Sequence, residues 1–167
     1  MADAEALFLE HRQRLFRYLC RAVGQADTAQ ELTQDVFVRV IRAEVPAAGD
    51  AEVRAWLFRI ARNLAIDHRR RDRGPIELPH NPSVRSPAAE TSTAVNEALA
   101  RLADVDRDVF VMREVAGLSY AEIAAACELS PDAVRSRIHR ARLQLREHLS
   151  APIALRRGGT IDSREKP

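Results

Sequence analysis

Residues 118–142 read LSYAEIAAACELSPDAVRSRIHRAR, and this stretch decides the fold. Ser119 and Glu122 have the spacing of a capping box, in which the two side chains satisfy backbone N–H groups at the start of a helix. A tight break follows, where Ser130 is a candidate N-cap and Pro131 fits the first helical position because it lacks an N–H. The stretch therefore predicts a short capped helix, a tight turn and a longer second helix.

The second of these helices has an apolar face and a basic face. Its apolar positions recur at helical spacing and are expected to pack inward: Val134, Ile138, Ala141 and Leu145. The opposite face carries Ser136, His139, Arg140 and Leu143, flanked by Arg135, Arg142 and Arg146. A run of charge is usually only a solvated face. Here the two caps, the tight turn and the absence of an acid across the outer face favour a helix that enters the DNA major groove.

Helical periodicity also dominates upstream, and no strand alternation is present. Three further helices are predicted, with inward positions Leu15, Leu19 and Val23, then Leu32, Val36, Val40 and Ile41, then Trp56, Ile60 and Leu64. Gly24 is expected to end the first helix, and Asp27 and Gln30 have capping-box spacing at the start of the second. Residues 46–50 separate the second helix from the third.

A change in composition divides the chain. Residues 74–93 hold four prolines and little apolar periodicity, which predicts a flexible, partly extended linker. We therefore expect an all-α protein of two small helical domains, 1–73 and 94–149, with a disordered tail over 150–167. Twenty extended linker residues reach ~70 Å at most, which is about two turns of duplex DNA.

Basic residues are concentrated in two segments, although the formal net charge is only +2. Residues 54–73 hold seven arginines and two acids, and residues 133–146 hold five arginines and no acid. Lys166 is the sole lysine of the chain. The planar guanidinium of arginine suits phosphates and guanine edges, so the distribution indicates two separate contacts with a polyanion.

Several classes of function find no support in the sequence. A helical enzyme is one alternative, but we find no nucleophile–base pair, carboxylate dyad, phosphate loop or metal-ligand spacing, so no catalytic residue, metal, cofactor or small-molecule substrate is expected. No apolar run approaches the ~20 residues that span a bilayer, and the N-terminus does not look like a signal peptide. A cytoplasmic protein without membrane insertion is therefore expected. Cys20 and Cys127 form no CxxC pair and are expected to be buried structural thiols.

Three motifs resemble the extracytoplasmic-function (ECF) group of bacterial sigma factors. Residues 118–124 with 134–142 resemble region 4, residues 31–39 (ELTQDVFVR) resemble region 2.2, and residues 55–63 (AWLFRIARN) resemble region 2.3 running into region 2.4. The resemblance implies a non-enzymatic initiation factor that binds core RNA polymerase, at the β′ clamp helices and the β flap, and recognises −10 and −35 promoter elements. It also implies an anti-sigma factor as a further partner.

The resemblance implies roles for individual residues. Those matching the core-polymerase-binding surface are Glu31, Leu32, Gln34, Asp35, Phe37 and Val38. Those matching the part that opens and holds the −10 element are Trp56, Arg59, Arg62, Asn63, Arg69 and Arg70. Those matching the −35 recognition helix are Ser130, Arg135, Ser136, His139, Arg140 and Arg142. The turn at 46–53 matches the loop that receives a flipped −10 base.

Some alternatives stay open at this point. Leu32, Phe37 and Trp56 lie on apolar stripes, so each also fits a place in the core. For the whole chain, the alternative is a helix-turn-helix regulator that does not bind polymerase. That alternative explains residues 97–149 but gives the two upstream motifs no role. If the chain is a sigma factor, the free protein is expected to bind promoters weakly, because docking on polymerase would pre-position both domains.

Overall fold

The computed structural model describes residues 4–72 and 87–150, with side chains of the second range described from Ser92 onward. These ranges contain seven α-helices and no strand, which confirms the all-α prediction. The helices are α1 (Ala4–Val23), α2 (Ala26–Arg42), α3 (Asp50–Arg71), α4 (Pro87–Ala100), α5 (Asp104–Glu114), α6 (Tyr120–Cys127) and α7 (Pro131–Ser150). Within the described ranges, none of the helices combines the length and apolar character that a bilayer span requires.

Helices α1, α2 and α3 pack on one another and form a first unit. Tyr18 and Phe58 are fully buried and meet edge to face, with ring centroids 5.6 Å apart. Phe8 and Phe37 make a second edge contact between α1 and α2, at 4.7 Å. Gly24 follows the end of α1 with φ +78°, a conformation that glycine adopts without a steric penalty, so the predicted helix end is confirmed.

The start of α2 differs from the prediction. The helix begins at Ala26, with Gln25 as an N-cap whose side chain makes no capping hydrogen bond. Asp27 already lies inside the first turn, so the predicted Asp27–Gln30 capping box is wrong. A carboxylate in this first turn still stabilises the helix, because it faces the positive end of the helix dipole.

The predicted linker also ends earlier than expected. Helix α4 begins at Pro87, so residues 87–93, which were assigned to the linker 74–93, are helical. Proline is compatible with a first helical position because its missing N–H would have no intrahelical partner there. A helical residue advances the chain by only ~1.5 Å, which shortens the reach expected of this segment. Ser150, the first residue of the predicted tail 150–167, is the last residue of α7. The remainder of the predicted linker and of the predicted tail lies outside the described residues.

Helices α5, α6 and α7 form the second unit, with α4 packed on α7 and α5. The capping box of α6 is present as predicted: the Glu122 N–H donates to Ser119 Oγ at 3.2 Å, and the Ser119 N–H donates to Glu122 Oε2 at 2.7 Å. Glu128 closes α6 in the left-handed conformation, φ 56° and ψ 46°, which turns the chain sharply toward α7. This arrangement is the predicted helix-turn-helix.

The two units pack against each other. Helix α3 lies on α6, α1 lies on α5, and buried residues of both units belong to one hydrophobic cluster. This packing, called the closed arrangement below, was not expected from a sequence that predicts two tethered domains. It places α3, which carries the −10 candidates, against the second unit.

Candidate nucleic-acid interface

The outer face of α7 presents the predicted −35 residues to solvent. Val134, Ile138, Ala141 and Leu145 are buried, as the spacing predicted. Ser136 and His139 are exposed on the opposite side. The helix begins at Pro131, and Ser130 Oγ accepts a hydrogen bond from the Ala133 N–H at 3.1 Å, so the predicted N-cap is present.

Acidic residues surround the arginines of α7. Asp106 of α5 is nearly buried, and its carboxylate lies 2.7 Å from Arg137 and 3.1 Å from Arg140. Arg142 pairs with Glu114, also of α5. Residues 133–146 of α7 contain no acid, but α5 supplies two acids beside this stretch. These pairs hold the guanidinium groups of the helix in place and lower the net charge of the face.

Arg135 is the most exposed of the paired arginines on α7. Its side chain is 64% exposed, pairs with the 89% exposed Asp132 at 2.9 Å, and lies over the Tyr120 ring at 5.7 Å. A pair this exposed contributes little to stability. Arg135 therefore can exchange Asp132 for a phosphate with little loss to the fold.

Two arginines predicted for the −10 element converge on one buried carboxylate. Asp108 of α5 is 0% exposed and accepts from Arg62 Nε at 3.1 Å. Arg69 makes a bidentate pair with it, at 3.0 and 3.1 Å. Burial by itself would lower the pKa of Arg69, but the hydrogen bonds and charge of Asp108 outweigh this and raise that pKa. Both guanidinium groups are thus covered by the second unit.

Sequence reasoning missed Asp108. One signal was available: Asp108 precedes Val111 and Met112 by three and four residues, so it lies on the apolar face of α5. An aspartate is almost never fully buried unless it is paired. In an arginine-rich chain, such a position indicates an internal ion pair, although it does not identify the arginines.

The other −10 candidates on α3 are distributed between core and surface. Trp56 is half-buried and packs against the hydrophobic cluster. Asn63 and Arg70 are exposed. Arg59 is 44% exposed, with Nη1 4.0 Å from the Glu128 carboxylate of the second unit. The structure therefore brings Arg59, like Arg62 and Arg69, toward the second unit, but not Arg70.

A further ion pair across the units joins Arg54 to Glu122. Arg54 Nε lies 2.6 Å from Glu122 Oε1, and the same glutamate completes the capping box with Ser119. Burial by itself would raise the pKa of Glu122, but hydrogen bonds from Ser119 and Arg54 outweigh this and lower it. Local spacing predicted the capping box, whereas the partner from α3 had no sequence signal.

Helix α2 carries the predicted polymerase-binding residues, of which four are exposed and two are buried. Glu31, Gln34, Asp35 and Val38 are exposed. Leu32 and Phe37, at 7% and 6% exposed, lie in the core, so their assignment to the binding surface is corrected. Their apolar side chains hold α2 on the first unit and leave the polar residues of the next positions facing outward.

A cleft of about 700 Å³ opens between α1, the end of α2 and the segment before α3. Its lining includes Pro46 and Asp50 of the predicted base-receiving turn. His11 of α1 also lines it; this residue is 3% exposed, and its Nδ1 has no hydrogen-bond partner among the described residues. Burial lowers the pKa of His11.

Neither cysteine has the lowered pKa of a reactive thiol, because burial raises the pKa of both. Cys127 is buried, its Sγ lies 3.8 Å from Met112 Sδ, and burial raises its pKa to about 12. Cys20 is only half-buried, so the expectation of full burial is wrong for this residue. In the part of the chain that the structure describes, no group of three or more His, Cys, Asp or Glu residues could hold a metal ion.

Comparison with family models gives two matches. Residues 7–74 match the model for sigma-70 region 2, and residues 92–145 match that for sigma-70 region 4. Among curated relatives, SigL of Mycobacterium tuberculosis, an ECF RNA polymerase sigma factor, is 34% identical over 151 residues, covering 84% of this chain and 85% of SigL. RNA polymerase sigma factor YlaC of Bacillus subtilis is 29% identical, covering 87% and 91%. The ECF sigma factor SigE of Mycolicibacterium smegmatis is 34% identical over 90% of this chain, which spans 63% of its length.

Two solved structures share the fold. CnrH, in complex with the cytosolic domain of CnrY, superposes with a TM-score of 0.69 at 30% identity, covering 87% of this chain and 86% of CnrH. The sigma factor RpoE of Bartonella quintana, in complex with the anti-sigma factor NepR, also gives 0.69, at 22% identity and with coverage of 90% and 99%. At its lower identity, the second comparison supports the fold alone.

Proposed function

This chain belongs to the ECF group of the sigma-70 family, and on that premise we propose that it binds core RNA polymerase and directs initiation at promoters with −10 and −35 elements. The observation that carries the proposal is the order of matches, region 2 over 7–74 and region 4 over 92–145, on two arginine-lined helical units. Such a factor is not an enzyme, because the polymerase supplies the chemistry.

In the second unit, α7 reads the −35 element. Ser136 and His139 are exposed at the centre of its outer face and meet base edges. Around them, the residues that position the helix on phosphates or guanines are Ser130, Arg135, Arg140 and Arg142. The positive end of the helix dipole at Pro131 also favours a phosphate.

In the first unit, α3 opens and holds the −10 element. Its candidate contacts are Trp56, Arg59, Arg62, Asn63, Arg69 and Arg70. Opening a duplex requires unstacking of bases, which costs a few kcal/mol per step. A pocket that binds a flipped base offsets part of this free-energy cost. The cleft of about 700 Å³ beside Pro46 and Asp50 has the place and size for this role.

The partner surfaces follow from the same reading. Glu31, Gln34, Asp35 and Val38 on the exposed side of α2 bind the β′ clamp helices of polymerase, and the second unit binds the β flap. An anti-sigma factor is a further partner; this part of the proposal is supported by CnrH, which is 30% identical and was solved in complex with another protein, the cytosolic domain of CnrY. Because polymerase and promoter are its sites of action, the protein works in the cytoplasm.

The alternative of a helix-turn-helix regulator without polymerase is not favoured, because the region 2 match over 7–74 would then have no role. Run-off transcription with purified core polymerase tests the choice. We expect specific transcripts from a subset of genomic promoters only when the protein is added. A protein that binds DNA but never yields such a transcript, and never co-purifies with core enzyme, supports the alternative instead.

A further inference from the structure

A second cavity, of about 540 Å³, opens where the C-terminal half of α1 faces α4 and the end of α5. It lies between the two units of the closed arrangement, and none of its lining residues is assigned above to DNA or polymerase. Pockets that bind small molecules have volumes of about 300–1,000 Å³, so this cavity is large enough to hold one. The polar side chains and the thiol that line it are Arg17, Cys20, Arg21, Ser92, Asn96 and Glu114.

The charge of the lining favours an anion. Arg17 and Arg21 are four residues apart on α1, so their side chains lie on one face, a helical turn apart. Glu114 is the one acid among the described residues that line the cavity, and it is already paired with Arg142. An anion in the cavity would therefore meet two guanidinium groups and no unpaired carboxylate.

The wall opposite the arginines adds neutral donors. Arg21 Nη1 donates to Asn96 Oδ1 at 2.7 Å, which holds the Arg21 guanidinium at the cavity and leaves the Asn96 NH₂ group to donate to a ligand. The Ser92 hydroxyl lies 3.5 Å from the same Arg21 nitrogen. Both residues belong to α4, so the donors converge on the cavity from both units.

Arg17 is available for such a ligand. It is exposed, and it makes no hydrogen bond or ion pair among the residues that the structure describes. An exposed arginine by itself is ordinarily only solvated. Arg17 differs from Arg14, an exposed arginine one turn earlier on α1, because it lines a cavity beside a second guanidinium whereas Arg14 does not.

We propose that this cavity binds a small phosphorylated ligand, with a phosphate group held between Arg17 and Arg21. Guanidinium groups form bidentate, charge-assisted hydrogen bonds with phosphate oxygens, and Asn96 and Ser92 supply further donors. Because the lining comes from both units, the bound ligand contacts α1 and α4 together and stabilises the closed arrangement by mass action. The inference is independent of promoter binding, since it uses other residues.

Calorimetric titration of the full-length protein with inorganic pyrophosphate at fixed ionic strength tests the site. Arg17→Gln removes one guanidinium without breaking an internal contact, and Arg14→Gln is the matched control. We expect Arg17→Gln to bind pyrophosphate about tenfold more weakly than wild type, because charge-assisted hydrogen bonds are lost. Arg14→Gln should stay within about twofold of wild type. Adenosine diphosphate serves as a second probe: binding tighter than that of pyrophosphate identifies a nucleotide ligand, and equal binding identifies the phosphate groups alone.

Cys20 reports occupancy of the cavity itself. Its thiol is half-buried in the lining, whereas Cys127, the other cysteine of the chain, is buried. At a pyrophosphate concentration that half-saturates wild type, N-ethylmaleimide should modify Cys20 more slowly in wild type and in Arg14→Gln. In Arg17→Gln, the same concentration should leave the rate of modification almost unchanged.

Three results would overturn the proposal. One is the absence of saturable binding of either probe to wild type. Another is equal affinity in wild type and Arg17→Gln, which would place the anion elsewhere on this arginine-rich chain. The third is a rate of Cys20 modification that does not change while pyrophosphate is bound.

Discussion

At the scale of single residues, His11 shows how a buried base makes stability depend on pH. Its imidazole is 3% exposed, and burial lowers its pKa below 6.5. The unfolded chain therefore binds a proton near pH 6.5 that the native state does not. The contribution of neutral His11 to stability is fully present above this pH and is lost as the pH falls further, through the lowered pKa of His11 in the native state.

We expect the free energy of unfolding to fall between about pH 7 and pH 5, and His11→Gln to make this fall smaller. Urea denaturation at both pH values measures it. Carboxylates such as Glu122, whose pKa is lowered, contribute their own loss at more acidic pH, so the difference between wild type and variant is the informative quantity. An identical pH dependence in both proteins would show that His11 titrates as in the unfolded chain.

Cys127 offers a second test at this scale. Its pKa of about 12 leaves almost no thiolate near neutral pH, and the thiolate is the reactive form. We expect an aromatic disulfide reagent to modify Cys127 only after denaturation, with Cys20 accounting for any label on native protein. The variant Cys127→Ala should lose the denaturation-dependent label. Rapid modification of Cys127 in native protein would contradict its burial.

At the scale of elements, the sequence predicted helices and caps correctly where all the residues that determine them lie within one short segment. The capping box of α6 and the buried stripe of α7 depend only on spacing. The predicted start of α2 was wrong because the spacing of Asp27 and Gln30 matches a capping box although Asp27 lies inside the first turn of the helix. Leu32 and Phe37 were assigned to a surface because a motif match does not say which side of a helix faces the core.

The capping box can be tested directly. Ser119→Ala removes the acceptor of the Glu122 N–H, and the loss of an N-cap costs about 1 kcal/mol. Chemical denaturation should show a decrease of that order in the free energy of unfolding. Ser150→Ala, at the exposed end of α7, is the control and should change little. A Ser119→Ala protein as stable as this control would mean that the cap contributes nothing.

The different roles proposed for residues of α7 give a further prediction. Arg135 is assigned to a phosphate or a guanine and His139 to a base edge. If Arg135 holds a phosphate, Arg135→Gln should weaken holoenzyme binding to all −35 sequences alike and lower the salt slope by about 1. His139→Ala should instead change the order of preference among −35 variants, in binding titrations with a promoter library. Unchanged preference after His139→Ala would leave this residue with a non-specific role.

At the scale of the whole molecule, the sequence predicted the parts and not their relation. Composition separated two helical units, and charge indicated two contacts with a polyanion. The contacts of α3 with the second unit include Asp108 of α5, which meets Arg62 and Arg69, 46 and 39 residues away in sequence. No rule of sequence spacing relates residues that far apart. Long-range ion pairs of this kind can be identified only from the folded structure.

Footprinting of the holoenzyme on a mapped promoter tests most directly whether the two units act together on one stretch of DNA. With wild type, hydroxyl radicals should reveal two protected patches about two duplex turns apart, and permanganate should detect unpaired thymines at the downstream patch. A variant carrying Arg135→Gln and Arg140→Gln should lose the upstream patch first. A single protected patch with wild type, or upstream protection untouched in that variant, would contradict the account.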